Sequence, residues 1–280
     1  MKIIIHGGFF SESSQSDETK QKKQNALKEI IDKGFEFLQT HTALETVVYT
    51  TCLLEDCPLF NAGIGSQIQA DGKIRMSAAI MNGSDCRFSG VINIEKVQNP
   101  VLVAEKLLKE EDRVLSGQGA KQYANSQGFE SFSTETEERK KEYNMKLKSS
   151  KTSTVGCVVL DRKGKLAVAT STGGKGFEIP GRVSDSATIA GNFANKHCAI
   201  SCTGVGEDII NGALACKIVT RVTDGQTIES AFDKTFEELK EIDGFAGAIG
   251  IDVKGNMYWK ESHPKIVFAA YDGTNTFMFQ

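Results

Sequence analysis

A threonine at the start of an apolar run is the residue of this chain best suited to covalent chemistry. Thr154 directly precedes the apolar stretch 155–160 and follows a charged, serine-rich segment. A threonine hydroxyl needs a neighbouring base to act as a nucleophile, and one such base is the α-amine of the same residue, once the bond before it is cut. Because an α-amine has a pKa of about 7.7–8.0, it can accept a proton near neutral pH. The pattern therefore predicts a nucleophile released by cleavage between Ser153 and Thr154.

Three short motifs that follow Thr154 carry further polar side chains between glycines. They are Thr170-Ser171-Thr172-Gly173-Gly174, Pro180-Gly181-Arg182-Val183-Ser184-Asp185-Ser186 and Ser201-Cys202-Thr203-Gly204-Val205-Gly206-Glu207. An α-amino acid presents a carboxylate and an ammonium group close together. Arg182 could bind the carboxylate through two parallel hydrogen bonds, and Asp185 could accept from the ammonium group. Together with Thr154, these motifs indicate an N-terminal threonine hydrolase.

Each of these features has an ordinary structural interpretation when it is taken alone. Most threonines like Thr154 simply open a strand, because β-branched residues suit extended backbone. Arg182 and Asp185 could form an exposed ion pair worth less than about 1 kcal/mol, and the glycines could serve only the turns. Because all of these features occur in one chain, we favour the hydrolase.

The composition is that of an ordinary globular protein and argues against several classes of function. The 280 residues, 40% of them apolar, can form one large domain or two small ones. A net charge of −3 gives no reason to expect a nucleic acid or an anionic membrane as partner. The apolar run at residues 3–5 is far too short for a signal peptide or a membrane span. Seven cysteines, several of them within apolar runs, suggest buried free thiols and a cytoplasmic location.

Hydrophobic periodicity and turn residues place the motifs on predicted strands and helices. Strands are predicted at residues 2–5, 74–80, 88–94, 155–160, 166–170, 188–193, 198–202, 248–252, 257–260, 266–270 and 276–279. Helices are predicted at residues 21–38, 100–108, 117–127, 208–222 and 228–242. Both halves of the chain contain strands and paired helices, which suits helices packed on either side of antiparallel sheets.

Two polar segments are predicted to stay outside the packed core. Residues 9–20 are serine-rich, which is typical of a mobile loop. Residues 135–153 carry six Lys or Arg and few large apolar residues, so we interpret them as a solvated helix that leads into a flexible linker, least ordered at 148–153. A flexible linker of this kind can move away from Thr154 after cleavage without removing any side chain from the hydrophobic core.

The chain resembles the plant-type L-asparaginases and isoaspartyl peptidases, the asparaginase 2 family of N-terminal nucleophile hydrolases. The likeness runs from Ile5-His6-Gly7-Gly8 through Leu54-Glu55-Asp56-Cys57-Pro58-Leu59-Phe60-Asn61-Ala62-Gly63-Ile64-Gly65 to the threonine motifs. This resemblance implies one α+β domain over residues 1–280, built as a four-layer αββα sandwich. It also implies cleavage into an α subunit, 1–153, and a β subunit, 154–280, and a homodimer of processed units.

The resemblance assigns roles to individual residues. Thr154 is the nucleophile, and Thr172 orients its hydroxyl. The hydroxyl of Thr203 and the amide of Gly204 form an oxyanion hole, in which losing one donor typically costs about 2.7–4 kcal/mol of barrier. Substrate binding is assigned to Arg182, Asp185, Thr203, Gly204 and Gly206.

The loop around Asn61 is expected to support the nucleophile and to wrap a sodium ion. The expected ligands are the backbone carbonyls of Leu54, Glu55, Cys57, Phe60, Ala62 and Ile64. Since every residue has a carbonyl, the sequence itself does not indicate this site, and the expectation comes from the resemblance alone. No organic cofactor is expected.

The implied reaction is hydrolysis of the side-chain amide of L-asparagine, or of a β-aspartyl dipeptide, with release of L-aspartate. Ser153 stands where the family has glycine, and its relatives have aspartate, before the nucleophile. This serine makes self-cleavage an open question, and two alternatives to this amidohydrolase stay open. One is an uncleaved, inactive family member that binds an amino acid or a protein partner, and the other is a threonine aspartase that cleaves proteins.

Overall fold

The computed structural model describes residues 1–10, 16–145, 154–263 and 265–280. Within these ranges the chain forms strands β1 (Lys2–Phe9), β2 (Met76–Asn82), β3 (Arg87–Ile94), β4 (Val114–Ser116), β5 (Val155–Leu160), β6 (Leu166–Thr172), β7 (Asn192–Ala194), β8 (Cys198–Gly204), β9 (Ala246–Asp252), β10 (Met257–Glu261), β11 (Ile266–Tyr271) and β12 (Thr276–Met278). Its helices there are α1 (Asp17–Leu38), α2 (Ala43–Glu55), α3 (Pro100–Leu107), α4 (Gly117–Ser126), α5 (Glu137–Asn144), α6 (Gly206–Gly212), α7 (Leu214–Thr223) and α8 (Ile228–Glu241).

Strand β5 lies inside an eight-stranded sheet, and Thr154 directly precedes it. The strand order is β12-β11-β1-β5-β6-β2-β3-β4, and only the β3–β4 pair is parallel. His6 of β1 pairs with Gly156 on one side of β5, and Ser171 of β6 pairs with Val155 on the other. Because both edges of β5 are hydrogen-bonded, the backbone that carries Thr154 is firmly held.

A second sheet of four antiparallel strands, in the order β10-β9-β8-β7, contacts the first. Strands β5 and β6 both contact β8, which brings Thr203 of β8 to the end of β5 where Thr154 lies. Helices α1, α2 and α3 pack against the large sheet, and α7 and α8 pack against the small one. The predicted mixed α+β class is confirmed.

Apolar side chains of both sheets share one core. Its fully buried members include Leu27 of α1, Val158 of β5, Ala199 of β8 and Ile249 of β9. A smaller cluster, which includes Phe232 of α8, lies between the small sheet and its helices. The strands that carry the hydroxyl motifs are thus fixed by packing as well as by hydrogen bonds.

Helix α1 begins inside the segment predicted as a mobile loop. The prediction of a loop over residues 9–20 is wrong at both ends, because Phe9 belongs to β1 and α1 has formed by residue 17. The Ser16 side chain accepts a hydrogen bond from the Thr19 amide at 3.3 Å, so this serine is the N-cap of α1 and not a loop residue. Residues 11–15 lie outside the described part of the chain.

Helix α2 has no counterpart among the predicted helices. Its N-terminus carries a capping box, in which the Thr42 amide donates to Glu45 Oε2 at 2.9 Å and the Glu45 amide donates to Thr42 Oγ1 at 3.3 Å. The helix packs against α1, α3, β5 and β6. Because it is covered from several directions, it lacks the single apolar stripe that reveals a surface helix.

Two further predictions need correction around the substrate motifs. The single helix predicted at 208–222 is two helices, α6 and α7, which meet at Ala213 with a left-handed φ of 46°. The strand predicted at 188–193 is shorter and begins later, as β7 (Asn192–Ala194), because Thr188 ends a 3₁₀ turn over Asp185–Ala187. In both places a local turn outweighs the apolar periodicity on which the prediction was based.

The described part of the predicted linker contains a helix that touches the body of the protein. Helix α5 has no buried residue, as expected of a solvated helix. Its Arg139 donates to the Gly65 carbonyl at 2.9 Å, and Tyr143 donates to the Ala70 carbonyl at 3.2 Å. The predicted flexible segment at 148–153, which includes Ser153, lies outside the described residues.

Among the described residues, no helix is both long enough and apolar enough to cross a membrane. All seven cysteines are free thiols, and Cys157, Cys198 and Cys202 are buried. The cytoplasmic location stays a prediction.

Candidate active site

Thr154 lies between the two sheets with 4% of its surface exposed. Its hydroxyl donates to Thr172 Oγ1 at 3.3 Å and lies 3.5 Å from Ser186 Oγ. Its backbone nitrogen donates to Thr203 Oγ1 at 3.3 Å. Three hydroxyl side chains, from β6, the 3₁₀ turn and β8, therefore surround the nitrogen and oxygen of Thr154. We call Thr154, Thr172, Ser186 and Thr203 the hydroxyl cluster.

Asn61 ties its loop to the two glycines that follow Thr172. Its carbonyl accepts from the Gly173 amide at 2.9 Å, and its side-chain nitrogen donates to the Gly174 carbonyl. Its side-chain oxygen accepts from the Gln67 amide at 3.0 Å. In turn, the Gly174 amide donates to Thr172 Oγ1 at 3.2 Å, so the loop and the Thr172 hydroxyl are held in one hydrogen-bonded unit.

The loop with the six expected sodium ligands folds tightly on itself. A Cβ on Gly63 would stand 2.2 Å from the Glu55 carbonyl oxygen, and one on Gly65 would stand 1.8 Å from that of Phe60. Amides already bond to three of the other expected ligands, the carbonyls of Leu54, Cys57 and Ala62. Each carbonyl oxygen has two lone pairs, so these bonds still permit ion coordination. Carbonyl oxygens are the kind of donor that a hard cation takes, so the chemistry of this donor set fits the expected ion.

The Glu55 side chain joins the same loop to β6 beside Thr172. Its Oε1 accepts from the Ser171 hydroxyl at 2.6 Å and from the Val101 amide at 3.2 Å. Burial raises the pKa of this carboxyl to about 8, so at neutral pH it carries a proton. The family resemblance implied only a backbone role for Glu55.

Arg182 is already paired with a carboxylate. Its Nε and Nη2 donate to the two carboxylate oxygens of Glu207 at 2.7 and 2.8 Å. These hydrogen bonds from Arg182 lower the pKa of Glu207 to about 2, although partial burial acts in the other direction. Lys175 lies 3.6 Å from the same carboxylate. A carboxylate ligand of Arg182 would therefore have to share the guanidinium with Glu207 or displace it.

Asp185 lies beside this pair and is buried. Its Oδ1 accepts from the Ser184 hydroxyl at 2.8 Å, while its Oδ2 has no hydrogen-bond partner among the described residues. Burial raises the pKa of Asp185 to about 6. A Cβ on Gly206 would stand 2.9 Å from both Arg182 Nη2 and Asp185 Oδ1. The two charged groups therefore converge on the bare face of a glycine.

Comparison with known sequences gives the family. A family model described as Asparaginase matches residues 1–151 and, in a second match, residues 131–279. The chain belongs to the asparaginase family. It is therefore a hydrolase of the asparaginase type, and the family predicted from the sequence motifs is confirmed.

Relatives of this asparaginase-family chain carry two kinds of name. It is 42% identical to the isoaspartyl peptidase/L-asparaginase of Nostoc sp., over 97% of this chain and 92% of that protein. It is 34% identical to the isoaspartyl peptidase of Escherichia coli, over 91% and 88% of the two chains. It is also 34% identical to the plant-type L-asparaginase of Pyrococcus abyssi, over 95% of each.

The structure brings most of the predicted site residues of this family member into one region. Thr154, Thr172 and Thr203 lie in the hydroxyl cluster, and Gly204 directly follows Thr203. Asp185 is joined to the cluster through its neighbour Ser186 and meets Arg182 across the face of Gly206. The expected sodium ligands reach the cluster only indirectly, through Asn61 and Glu55.

Two residues of the site were not predicted from the sequence. Ser186 reaches the Thr154 hydroxyl, and Glu207 occupies the Arg182 fork. Both stand in the motifs quoted above, each directly beside a residue that was predicted. No sequence signal distinguishes them from solvated polar residues, because the contacts that define them join segments distant in the chain.

Proposed function

We propose that the chain is an N-terminal threonine amidohydrolase that cleaves itself between Ser153 and Thr154. It then hydrolyses the side-chain amide of L-asparagine, or the isopeptide bond of β-aspartyl dipeptides, to release L-aspartate. The observation that carries this proposal is the hydroxyl cluster, which contacts both the nitrogen and the hydroxyl of Thr154. The names of the relatives support both substrates.

In the intact chain the Thr154 nitrogen is an amide and has no basic lone pair. Cleavage converts it to an α-amine, which can take the proton from the hydroxyl of the same residue. The Thr154 oxygen then attacks the substrate carbonyl and forms an ester, and ammonia or the amino group of the leaving peptide departs with a proton. Water hydrolyses the ester and returns the free hydroxyl. Thr172 lies within reach to orient the hydroxyl throughout.

The oxyanion formed in each attack needs donors that are already in place. Thr203 Oγ1 lies 3.3 Å from the Thr154 nitrogen, beside the reacting atoms, and the Gly204 amide comes next in the chain. Gly204 has φ of +145°, a conformation that glycine adopts readily and other residues rarely do. We assign these two donors to the oxyanion, where they act in a site largely closed to water.

Substrate recognition falls to the Arg182–Asp185 pair. The guanidinium binds the α-carboxylate of the aspartyl group and Asp185 accepts from its ammonium, with Gly206 leaving room between them. Both L-asparagine and β-aspartyl peptides present this same aspartyl end. If the chain stayed uncleaved, the same site would make it an inactive protein that binds an amino acid. If it cleaved whole proteins at the aspartyl group, the chain would be a threonine aspartase.

We also propose the fold and assembly that the family resemblance implies. The packing of α1–α3 on one sheet, sheet on sheet, and α7 and α8 on the other sheet supports a four-layer αββα sandwich. Ile179, Val183 and Ile189 are exposed apolar residues around the substrate motif, which supports contact with another chain. An experimental structure of the processed protein tests the order of the layers.

The first prediction concerns Thr154 itself. We expect the wild-type protein to yield two fragments divided at Ser153–Thr154. Thr154→Ala should stay intact and lose at least about 1,000-fold in aspartate release, because the nucleophile is gone. Thr154→Ser should retain cleavage and slower turnover. Mass spectrometry and an aspartate assay measure both quantities.

The matched control is Thr40→Ala, which removes an exposed threonine far along the chain from the site and should change neither quantity. If Thr154→Ala hydrolysed L-asparagine at the wild-type rate, the mechanism would be wrong. An intact wild-type chain without turnover on small substrates would favour the inactive binder, and turnover only on proteins would favour the aspartase.

A second prediction follows from the raised pKa of Asp185. This carboxyl is ionised above about pH 6 and protonated below it, so its attraction for the substrate ammonium is present at higher pH and is lost on acidification. Asp185→Asn should bind L-aspartate roughly 10- to 100-fold more weakly than wild type at pH 7.5. This difference should shrink by about tenfold between pH 7.5 and pH 5, because a carboxyl with a pKa of about 6 is mostly protonated at pH 5, as measured by titration calorimetry.

The comparison with Asp185→Asn at each pH removes the effect of other titrating groups. Asp224→Asn, at an exposed position, serves as the control and should match wild type throughout. A ratio of affinities that stays constant from pH 5 to 7.5 would show that Asp185 does not bind the ammonium group.

Sodium binding by the loop of Leu54 to Ile64 is the third prediction. A bound ion stabilises the folded state by mass action, so the melting temperature should rise when tetramethylammonium is replaced by sodium at constant ionic strength. Gly65→Ala should abolish this dependence, because its Cβ would displace the Phe60 carbonyl. Equal melting temperatures of the wild-type protein in the two salts would exclude the site.

The fourth prediction is the mass of the assembly. Light scattering after size-exclusion chromatography should give the mass of two chains for the processed protein. A mass of one chain at micromolar concentration would contradict the homodimer.

A further inference from the structure

A chain of three buried polar side chains crosses the interface between the two sheets and ends on the nucleophile residue. It consists of His6 on β1, Ser201 on β8 and Thr170 on β6, all with no exposed surface. His6 Nδ1 lies 2.9 Å from the Thr154 carbonyl oxygen, and His6 Nε2 lies 2.8 Å from Ser201 Oγ. Ser201 Oγ lies 2.7 Å from Thr170 Oγ1. None of these three groups has a role in the mechanism given above.

The direction of each hydrogen bond follows from the groups involved. A carbonyl oxygen only accepts, so His6 Nδ1 carries a hydrogen and donates it to Thr154. Burial lowers the pKa of His6 to about 3, so the ring is neutral and its Nε2 must accept from the Ser201 hydroxyl. Ser201 in turn accepts from Thr170. Every member is satisfied, and the tautomer of His6 is fixed by the Thr154 carbonyl, to which only a protonated Nδ1 can donate.

The backbone of β5 is shaped to admit this chain of groups. Gly156 pairs with His6 in the sheet, and a Cβ there would stand 2.0 Å from Ser201 Oγ and 2.4 Å from His6 Nε2. Any other residue at position 156 would separate the imidazole from the serine. The space left by the glycine, two residues after Thr154, is thus filled by Ser201 Oγ and by the Nε2 side of the His6 ring.

Cleavage makes this contact more important. A residue that becomes a chain terminus loses the constraint of the preceding chain and tends to fray. The other contacts of Thr154, to Thr203, Thr172 and Ser186, are long, at 3.3–3.5 Å. The His6 bond, at 2.9 Å, is the shortest of the four and holds the carbonyl, which is the one polar backbone group that cleavage leaves unchanged.

We propose that His6 is a positioning residue for the nucleophile: through Nδ1 it holds the Thr154 carbonyl, and so aims the Thr154 amine at Thr203 and the hydroxyl at Thr172. The imidazole takes no proton during turnover and touches no substrate. The proposal rests on Thr154 being the nucleophile, and it concerns how a terminal residue keeps the geometry that attack requires.

The test compares two replacements of His6. His6→Phe keeps a ring of similar size but has no donor, whereas His6→Asn places an amide N–H where Nδ1 stood and can still reach the Thr154 carbonyl. In the processed fraction we expect His6→Phe to lose about 10- to 100-fold in kcat, with KM within about threefold of wild type. His6→Asn should recover at least about a third of wild-type kcat, although it removes the imidazole nitrogen that accepts from the Ser201 hydroxyl.

Ser201→Ala separates positioning from simple stabilisation. It breaks the buried chain but leaves His6 Nδ1 able to donate, so it should lower the melting temperature as much as His6→Asn does while kcat falls less than in His6→Phe. His41→Phe, at an exposed histidine, is the control and should leave kcat, KM and melting temperature unchanged. If His6→Phe fails to process or fold, His6→Asn and Ser201→Ala still decide, because both keep a donor for the Thr154 carbonyl. Both should then keep at least about a third of wild-type kcat, and a loss as large as that expected of His6→Phe would overturn the proposal.

The proposal is overturned if His6→Phe keeps kcat within twofold of wild type, or if His6→Asn is no better than His6→Phe. It is also overturned if kcat of all variants simply follows their melting temperatures. Failure of the proposed function gives a different result, an active Thr154→Ala protein, and in that case there is no nucleophile at Thr154 for His6 to position.

Discussion

The site depends on how closely strand β5 approaches strand β8. Gly156 leaves the face of β5 bare, and the side chains of Ser201 and His6 fill the space that a Cβ would take. This close approach places Thr203, two residues beyond Ser201, against the nitrogen of Thr154. A larger residue at 156 would force the sheets apart where the hydroxyls must meet, so one missing side chain sets the spacing of the whole cluster.

That approach buries polar groups, which costs free energy unless each finds a partner. Around Thr154 the partners are mostly other hydroxyls and backbone groups, which carry no net charge. Two buried acidic groups of the site, Glu55 and Asp185, respond to burial through raised pKa values, to about 8 and about 6. A carboxyl that stays neutral can hold a loop in place, as Glu55 does, whereas one that titrates near pH 6 can still present a charge to a ligand.

Much of this arrangement could be predicted because it depends on patterns within short segments of the sequence. Strand periodicity located β5, β6 and β8, and the family resemblance that the glycine-flanked motifs carry pointed to Thr172, Arg182 and Thr203. Local patterns failed where burial came from several sides, as in α2, or where a tertiary turn broke a periodic run, as at Ala213. They also missed Ser186 and Glu207, because a polar residue becomes part of a site only through partners that lie far away in sequence.

The Arg182–Glu207 pair shows why such partners matter for recognition. In the free protein the guanidinium fork is already satisfied, so an incoming carboxylate gains only the difference between its own bond and the one that Glu207 gives up. Glu207 is half-exposed and can turn towards water, whereas Asp185 is fixed in the interior. Water can thus hydrogen-bond to Glu207 when it leaves Arg182, so releasing Glu207 costs little free energy. In the binding mode that we propose, discrimination among ligands therefore falls on the buried Asp185, where an unpaired charge would be costly, and on the space over Gly206.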